Sequence, residues 1–171
     1  DDESLLDIVA SANIACGFHA GDPLVMRRTV AAAKKRGVSI GAHPAFPDLQ
    51  GFGRRRMDIP AAELEAMIIY QIGALKAMAA AEGSCVSHVK PHGALSNMAC
   101  ADPALADCVA RAVHAISPQL ILLAPAYSRL ATAGESIGLP VILEIFADRA
   151  YQDDGQLMPR SQPGAMIHGT D

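Results

Sequence analysis

The stretch SANIACGFHAGDP, residues Ser11–Pro23, carries three signals in a row. Ser11 to Cys16 is short, apolar and stopped by Gly17, which is how a buried strand reads. Asp22-Pro23 reads as a helix N-cap followed by the first helical residue. Between them lies a loop that holds His19. One strand, one polar loop and one helix start make a βα unit, and the unit recurs along the chain.

Gly37 stops the first helix, and Val38–Ala42 is the next strand candidate, followed by a loop rich in Gly, Pro, Asp and Arg from Pro44 to Pro60. From Ala61 to Glu82, Leu64, Met67, Ile68, Gln71, Ile72, Leu75 and Met78 recur at helical spacing, with Gln71 the one polar interruption. Val86–Lys90 is a third strand candidate. Asp102-Pro103 repeats the helix start, and Leu105, Cys108, Val109, Ala112, Val113 and Ile116 form its apolar face. Leu120–Ala124 reads as a buried strand, Ser128–Ile137 as a helix and Val141–Phe146 as a fifth strand; beyond Ala147 the chain reads as loop. Five βα units in series predict an α/β fold with a parallel sheet covered on its faces. Periodicity alone leaves a barrel and an open doubly wound sheet both standing.

The composition narrows the function classes. The 171 residues suit one domain, and 51% hydrophobic against 19% charged excludes a disordered chain. A net charge of −4 argues against nucleic acid, and 4% aromatics with no Trp give no base-stacking platform. No uninterrupted apolar run approaches the ~18 residues of a membrane span, and no signal-peptide pattern is evident. Cys16, Cys85, Cys100 and Cys108 form no CxxC pair, zinc motif or disulfide framework, so reduced thiols in the cytoplasm are expected.

Reactive side chains follow the strands. The loop after the first strand holds His19 and Asp22, and the second leads to His43 and Asp48. The third leads to Lys90 and His92, the fourth to Tyr127, and the fifth to Asp148 and Arg149. In parallel α/β folds these strand ends share one face, where ligands bind. Imidazoles there shuttle protons or bind a metal, carboxylates orient an imidazole or accept a proton, and Lys90 and Arg149 stabilise an oxyanion or phosphate. A metal on His19, His43 and His92 is a weak expectation, because the gaps are long and no HExxH occurs. His88, within a strand, and His114, on a helix, read as structural. Gly51-Phe52-Gly53 followed by Arg54, Arg55 and Arg56 matches neither GxGxxG nor a P-loop. Its arginines read as solvated surface or as a guanidinium grip on phosphate or carboxylate. Cys16 reads as a small buried thiol.

Four segments together resemble the LamB/YcsF family: SANIACGFHAGDP, GAHPAFPDLQGFGRRRM (Gly41–Met57), HVKPHGALSN (His88–Asn97) and FADRAYQDDGQLMPRSQPGA (Phe146–Ala165). The resemblance runs through essentially the whole chain. It implies an irregular TIM-like (β/α) barrel similar to the glycoside hydrolase/deacetylase superfamily. It also implies the reaction of lactam-utilisation proteins, described as the A component of ATP-dependent 5-oxoprolinase. That reaction is hydrolytic opening of 5-oxo-L-proline to L-glutamate coupled to ATP hydrolysis, with Mg as the counter-ion of ATP and with partner subunits B and C. On the matching motif positions, His19, His43, Lys90, His92 and Asp148 are the expected catalytic residues, with His43 or His92 as base. Arg149, Arg160, Asp48 and Arg54 are the expected substrate- or anion-binding residues.

Ser96 stands where the family motif usually has Tyr, and Ala45 where it has Gly or Ser. The family's opening DLNxDxGE-like strand and closing CVHGD-like segment do not occur in this sequence. Residues 1–171 are therefore expected to form a single (β/α) barrel domain lacking its first strand and C-terminal portion, with free sheet edges. Two other readings accompany this one: a metal-dependent hydrolase such as a carbohydrate deacetylase acting alone, and a non-catalytic assembly subunit.

Overall fold

Two Asp-Pro pairs start helices as their sequence predicts. In the computed structural model, which describes residues 2–155 and 157–169, the Asp22 carboxylate accepts from the backbone N–H groups of Leu24 and Val25, both at 2.8 Å. The Asp102 carboxylate accepts from Ala104 at 2.8 Å and Leu105 at 3.3 Å. Each capping carboxylate satisfies N–H groups that have no partner inside the helix, and each Pro gives up none, since it has no N–H. The Ser128 hydroxyl caps a third helix through Ala131 N–H at 3.1 Å.

The elements run α1 (Asp2–Leu5), β1 (Ser11–Ala15), α2 (Pro23–Lys35), β2 (Ser39–His43), α3 (Ala61–Ala81), β3 (Val86–Val89), α4 (Gly93–Ala101), α5 (Pro103–Ile116), β4 (Ile121–Pro125), α6 (Arg129–Ser136) and β5 (Val141–Glu144). The short α1 and the nine-residue α4 are additions to the sequence reading. Helix α4 opens on Gly93 and carries Ser96 and Asn97, poor helix formers; its burial of Ala94, Leu95, Ala99 and Cys100 compensates.

All strand pairs are parallel, in the order β1-β2-β3-β4-β5. Sequential order settles the choice that periodicity left open. A doubly wound sheet reverses its order at a switch point, which puts helices on both faces. Crossovers between parallel strands are right-handed as a rule, and here each advances in the same direction, so the helices lie on one face, as in a (β/α) barrel. Among the described residues the sheet does not close: β1 and β5 are its edges.

Ile14, Ile40, Ala42, Val89, Leu122 and Ala124 point to the helices and join the core. Leu64, Ile68, Ile72 and Leu75 of α3 meet them there. By length and composition α3 is apolar enough to cross a membrane, yet its buried face packs on β2, β3 and α5. The opposite face of β1–β3 is polar or small, whereas β4 and β5 present Ile121, Leu123 and Ile142 there. Asn13, Gly41 and His88 stand in register across β1, β2 and β3. The His88 ring lies over Gly41, where a Cβ would stand 2.1 Å from Nε2, and that nitrogen is 3.1 Å from Asn13 Oδ1. His88 is thus part of the sheet's inner layer.

A candidate active site at the strand ends

Three loops at the C-terminal ends of β1, β2 and β3 are laced together by their backbones. The Phe18 carbonyl accepts from Asp48 N–H at 3.1 Å, and the Pro44 carbonyl from His92 N–H at 2.8 Å. The Gly53 carbonyl accepts from Ala94 N–H at 2.9 Å. The approach is close enough to require glycine twice. A Cβ on Gly53 (φ 68°) would stand 2.9 Å from both His19 Cβ and His92 Cδ2. One on Gly93 (φ 56°) would stand 2.4 Å from the Gly53 carbonyl oxygen. Both φ values lie in the left-handed region that glycine tolerates.

This lacing brings His19, His43 and His92 into one cluster. The rings of His19 and His92 stack at 4.0 Å, and His43 meets His92 edge-on at 4.8 Å. Phe52 closes the side, its ring 5.5 Å from His19 and 5.3 Å from His92. The His43 Nδ1–H donates to the Lys90 carbonyl, and the His92 Nε2–H donates to the Phe52 carbonyl at 2.8 Å. His43 Nε2 and His92 Nδ1 face each other at 3.0 Å. The buried His19 Nδ1 has no hydrogen-bond partner among the described residues.

Burial, reinforced by the neighbouring His92, lowers the His19 imidazole to about 4. Burial also lowers His43 to about 3, against the opposing pull of the Lys90 carbonyl. His92 is shifted in the same direction, again mainly by burial. The cluster is therefore neutral at pH 7, with lone pairs on offer rather than charge.

Beside it, Lys90 Nζ pairs with the Glu144 carboxylate at 2.6 Å and lies 4.9 Å from the centre of the Phe146 ring. Arg54 sits 5.3 Å over the outer face of Phe52. With Arg56, Asn97 and Asp102 it lines an open cleft of about 370 Å³ against α4.

A LamB/YcsF family model matches residues 1–171. The chain belongs to the LamB/YcsF family. It is 65% identical over 171 residues to an Azoarcus sp. protein whose name makes it the A component of 5-oxoprolinase, covering all of this chain and 67% of that one. It is 58% identical to the Bacillus subtilis protein of the same name, covering 99% of this chain and 66% of that one. A crystal structure of a lactam utilization protein from Thermus thermophilus superposes with a TM-score of 0.94 at 47% identity, covering 99% of this chain and 68% of that one. The chain thus spans about two thirds of the length of these relatives.

The other expected site residues of this LamB/YcsF chain lie apart from the imidazoles. Asp48 is 2% exposed, and its carboxylate is taken up by Arg55 (Nε at 2.8 Å, and Nη2) and by Gly51 N–H at 2.9 Å and Arg55 N–H at 3.2 Å. It clamps the loop instead of presenting itself to an imidazole or a ligand. The buried Arg149 donates to two carbonyls, Ala165 at 3.3 Å and Met158 at 2.7 Å, and so anchors the last loop. Asp148 is exposed beyond β5, and the exposed Arg160 reaches Met166 Sδ at 3.3 Å. Cys16 donates to the Ile14 carbonyl and is pushed up to about 12 by burial, an unreactive thiol. Sequence reasoning passed over Glu144. Its signal was a lone carboxylate inside the apolar run VILEIF, at a position alternating with the helix-facing residues.

Proposed function

We propose that this LamB/YcsF chain carries the active site of the A component of an ATP-dependent 5-oxoprolinase, working in the cytoplasm with subunits B and C. The observation that carries the reading is the meeting of three neutral imidazoles with the Lys90–Glu144 pair at the C-terminal ends of a parallel sheet. The names of the relatives at 65% and 58% identity support the substrate.

The chemistry asks for such groups. A five-membered lactam is a stable amide with a poor leaving group. Transfer of the γ-phosphoryl group of ATP, with its Mg ion, to the lactam oxygen leaves ADP and makes the ring carbon electrophilic. Water then adds to that carbon, and the C–N bond breaks as the nitrogen takes a proton, leaving the side-chain carboxyl as an acyl phosphate; a second water hydrolyses it, releasing phosphate and L-glutamate. Lys90 supplies positive charge where the oxygen becomes anionic, and Glu144 holds its ammonium in place. The lone pairs of His43 Nε2 and His92 Nδ1 handle the protons of the attacking water. Arg54 and Arg160 are exposed guanidinium groups available to carboxylate or phosphate, and Asp148 is an exposed carboxylate just beyond β5.

The test is reconstitution of the full-length protein with subunits B and C. Glutamate should form from 5-oxoproline in step with ADP, and only when all three are present. An assembled, folded complex that makes no glutamate overturns the reading.

A further inference from the structure

A carbonyl oxygen only accepts a hydrogen bond. The proton between His43 Nδ1 and the Lys90 carbonyl therefore sits on the ring, as does the one between His92 Nε2 and the Phe52 carbonyl. A neutral imidazole carries one N–H, so His43 Nε2 and His92 Nδ1 are both bare lone pairs, and they face each other at 3.0 Å. Two lone pairs at that distance repel unless a bridging proton or a metal ion lies between them. A third ring nitrogen, the buried His19 Nδ1, also has no partner among the described residues. One nitrogen from each ring falls within a 4.8 Å cluster.

We infer that His19, His43 and His92 are the ligands of one divalent transition-metal ion of the zinc class, bound through His43 Nε2, His92 Nδ1 and His19 Nδ1. A tetrahedral ion with metal–nitrogen bonds of about 2.0–2.1 Å holds its ligands roughly 3.3 Å apart, so the facing pair needs to open by only a few tenths of an ångström. The third ligand arrives by rotation of the His19 ring. The backs of two rings are already held as metal-binding histidines usually are, each N–H donating to a backbone carbonyl and so fixing ring and tautomer. An all-imidazole set selects zinc, cobalt or nickel over the oxygen-seeking Mg that accompanies ATP. Three neutral ligands leave the ion's charge uncompensated and a fourth position open, which suits an anionic oxygen ligand such as a carboxylate or phosphoryl oxygen. Bound there, the ion would act as a Lewis acid on that oxygen. The inference rests on the preceding reading of the site and alters one role in it: nitrogens that hold an ion do not also take protons from water, so with the ion bound His43 and His92 would serve as its ligands. Its geometry holds whichever amide is the substrate.

The experiment titrates chelator-treated full-length protein with Co²⁺ and then Zn²⁺, without ATP, lactam or partner subunits. One equivalent of Co²⁺ should bind with visible ligand-field bands of four-coordinate intensity, and Zn²⁺ should displace it. Losing only a hydrogen bond behind a metal-bound histidine costs about 10–100-fold in affinity, so His43→Ala and His92→Ala should weaken binding by more than about 100-fold. His114→Ala, on α5, should leave it unchanged. Absence of Co²⁺ and Zn²⁺ binding by the unaltered protein overturns the inference, as does binding that survives both substitutions. Nitrogen chemical shifts of the three imidazoles that do not respond to Zn²⁺ also overturn it, with no variant needed. Protein that binds the ion but makes no glutamate with its partners keeps this inference and loses the previous one; the converse result does the reverse.

Discussion

At the scale of single residues, the site owes its character to which protons are absent. Each imidazole is kept neutral by burial, and two have their N–H groups committed to carbonyls. Asp48 shows the opposite treatment. The Arg55 guanidinium holds its carboxyl down to about 2, helped by the Gly51 and Arg55 N–H groups and opposed by burial. A carboxyl lowered on folding contributes stability that is complete above its ordinary value near 4 and fades as pH falls through the folded value. Asp48→Asn should therefore lower the melting temperature at pH 7. Thermal unfolding from pH 4 to pH 2 should show the gap to the unaltered protein narrowing; a gap that stays constant would sink this account of Asp48. The histidines were legible in the sequence because residue type and strand-end position suffice to place them. The role of Asp48 was not, because it depends on a loop that folds Arg55 back seven residues later.

At the scale of elements, Gln71 explains its own awkward place in the apolar stripe of α3. It is fully buried, accepts from Ala45 N–H at 2.9 Å and donates to the Ala45 carbonyl at 3.0 Å. That two-point clamp fixes the chain two residues after His43. Gln71→Leu preserves the packing but leaves both Ala45 groups buried without partners, at a cost of about 1–3 kcal/mol for each unsatisfied group. Chemical denaturation should show a loss of about 2 kcal/mol or more, and an unchanged midpoint would contradict the clamp. The strands and the long helices were readable from periodicity and from Asp-Pro and Gly punctuation. Helix α4 was not, because its nine residues gain stability from packing on α5 and α6, which no local pattern records.

At the scale of the whole molecule, the direction of winding separates the barrel type from the doubly wound sheet, and sequence patterning could not supply strand order. Among the described residues the edge strand β5 is uncovered, with Ile142 51% and Leu143 55% exposed and Ile145, just beyond it, 77% exposed. Such an edge pairs with whatever strand it meets. Residues 1–171 expressed alone should self-associate, and Ile142→Lys with Leu143→Lys should shift light-scattering masses toward the monomer. A monodisperse monomer without those substitutions would contradict this. The central claim is that the strand-end cluster is where the reaction occurs. Its most direct test is the rate of glutamate formation by the reconstituted complex carrying His92→Ala or Lys90→Gln, with partner co-purification measured alongside. A positioned proton-transfer group contributes about 10²–10⁴-fold and a charge-stabilising donor about 10²–10³-fold, so the rate should fall by at least about 100-fold while the complex stays intact. Full activity in an intact complex would contradict the claim and leave this chain an assembly component.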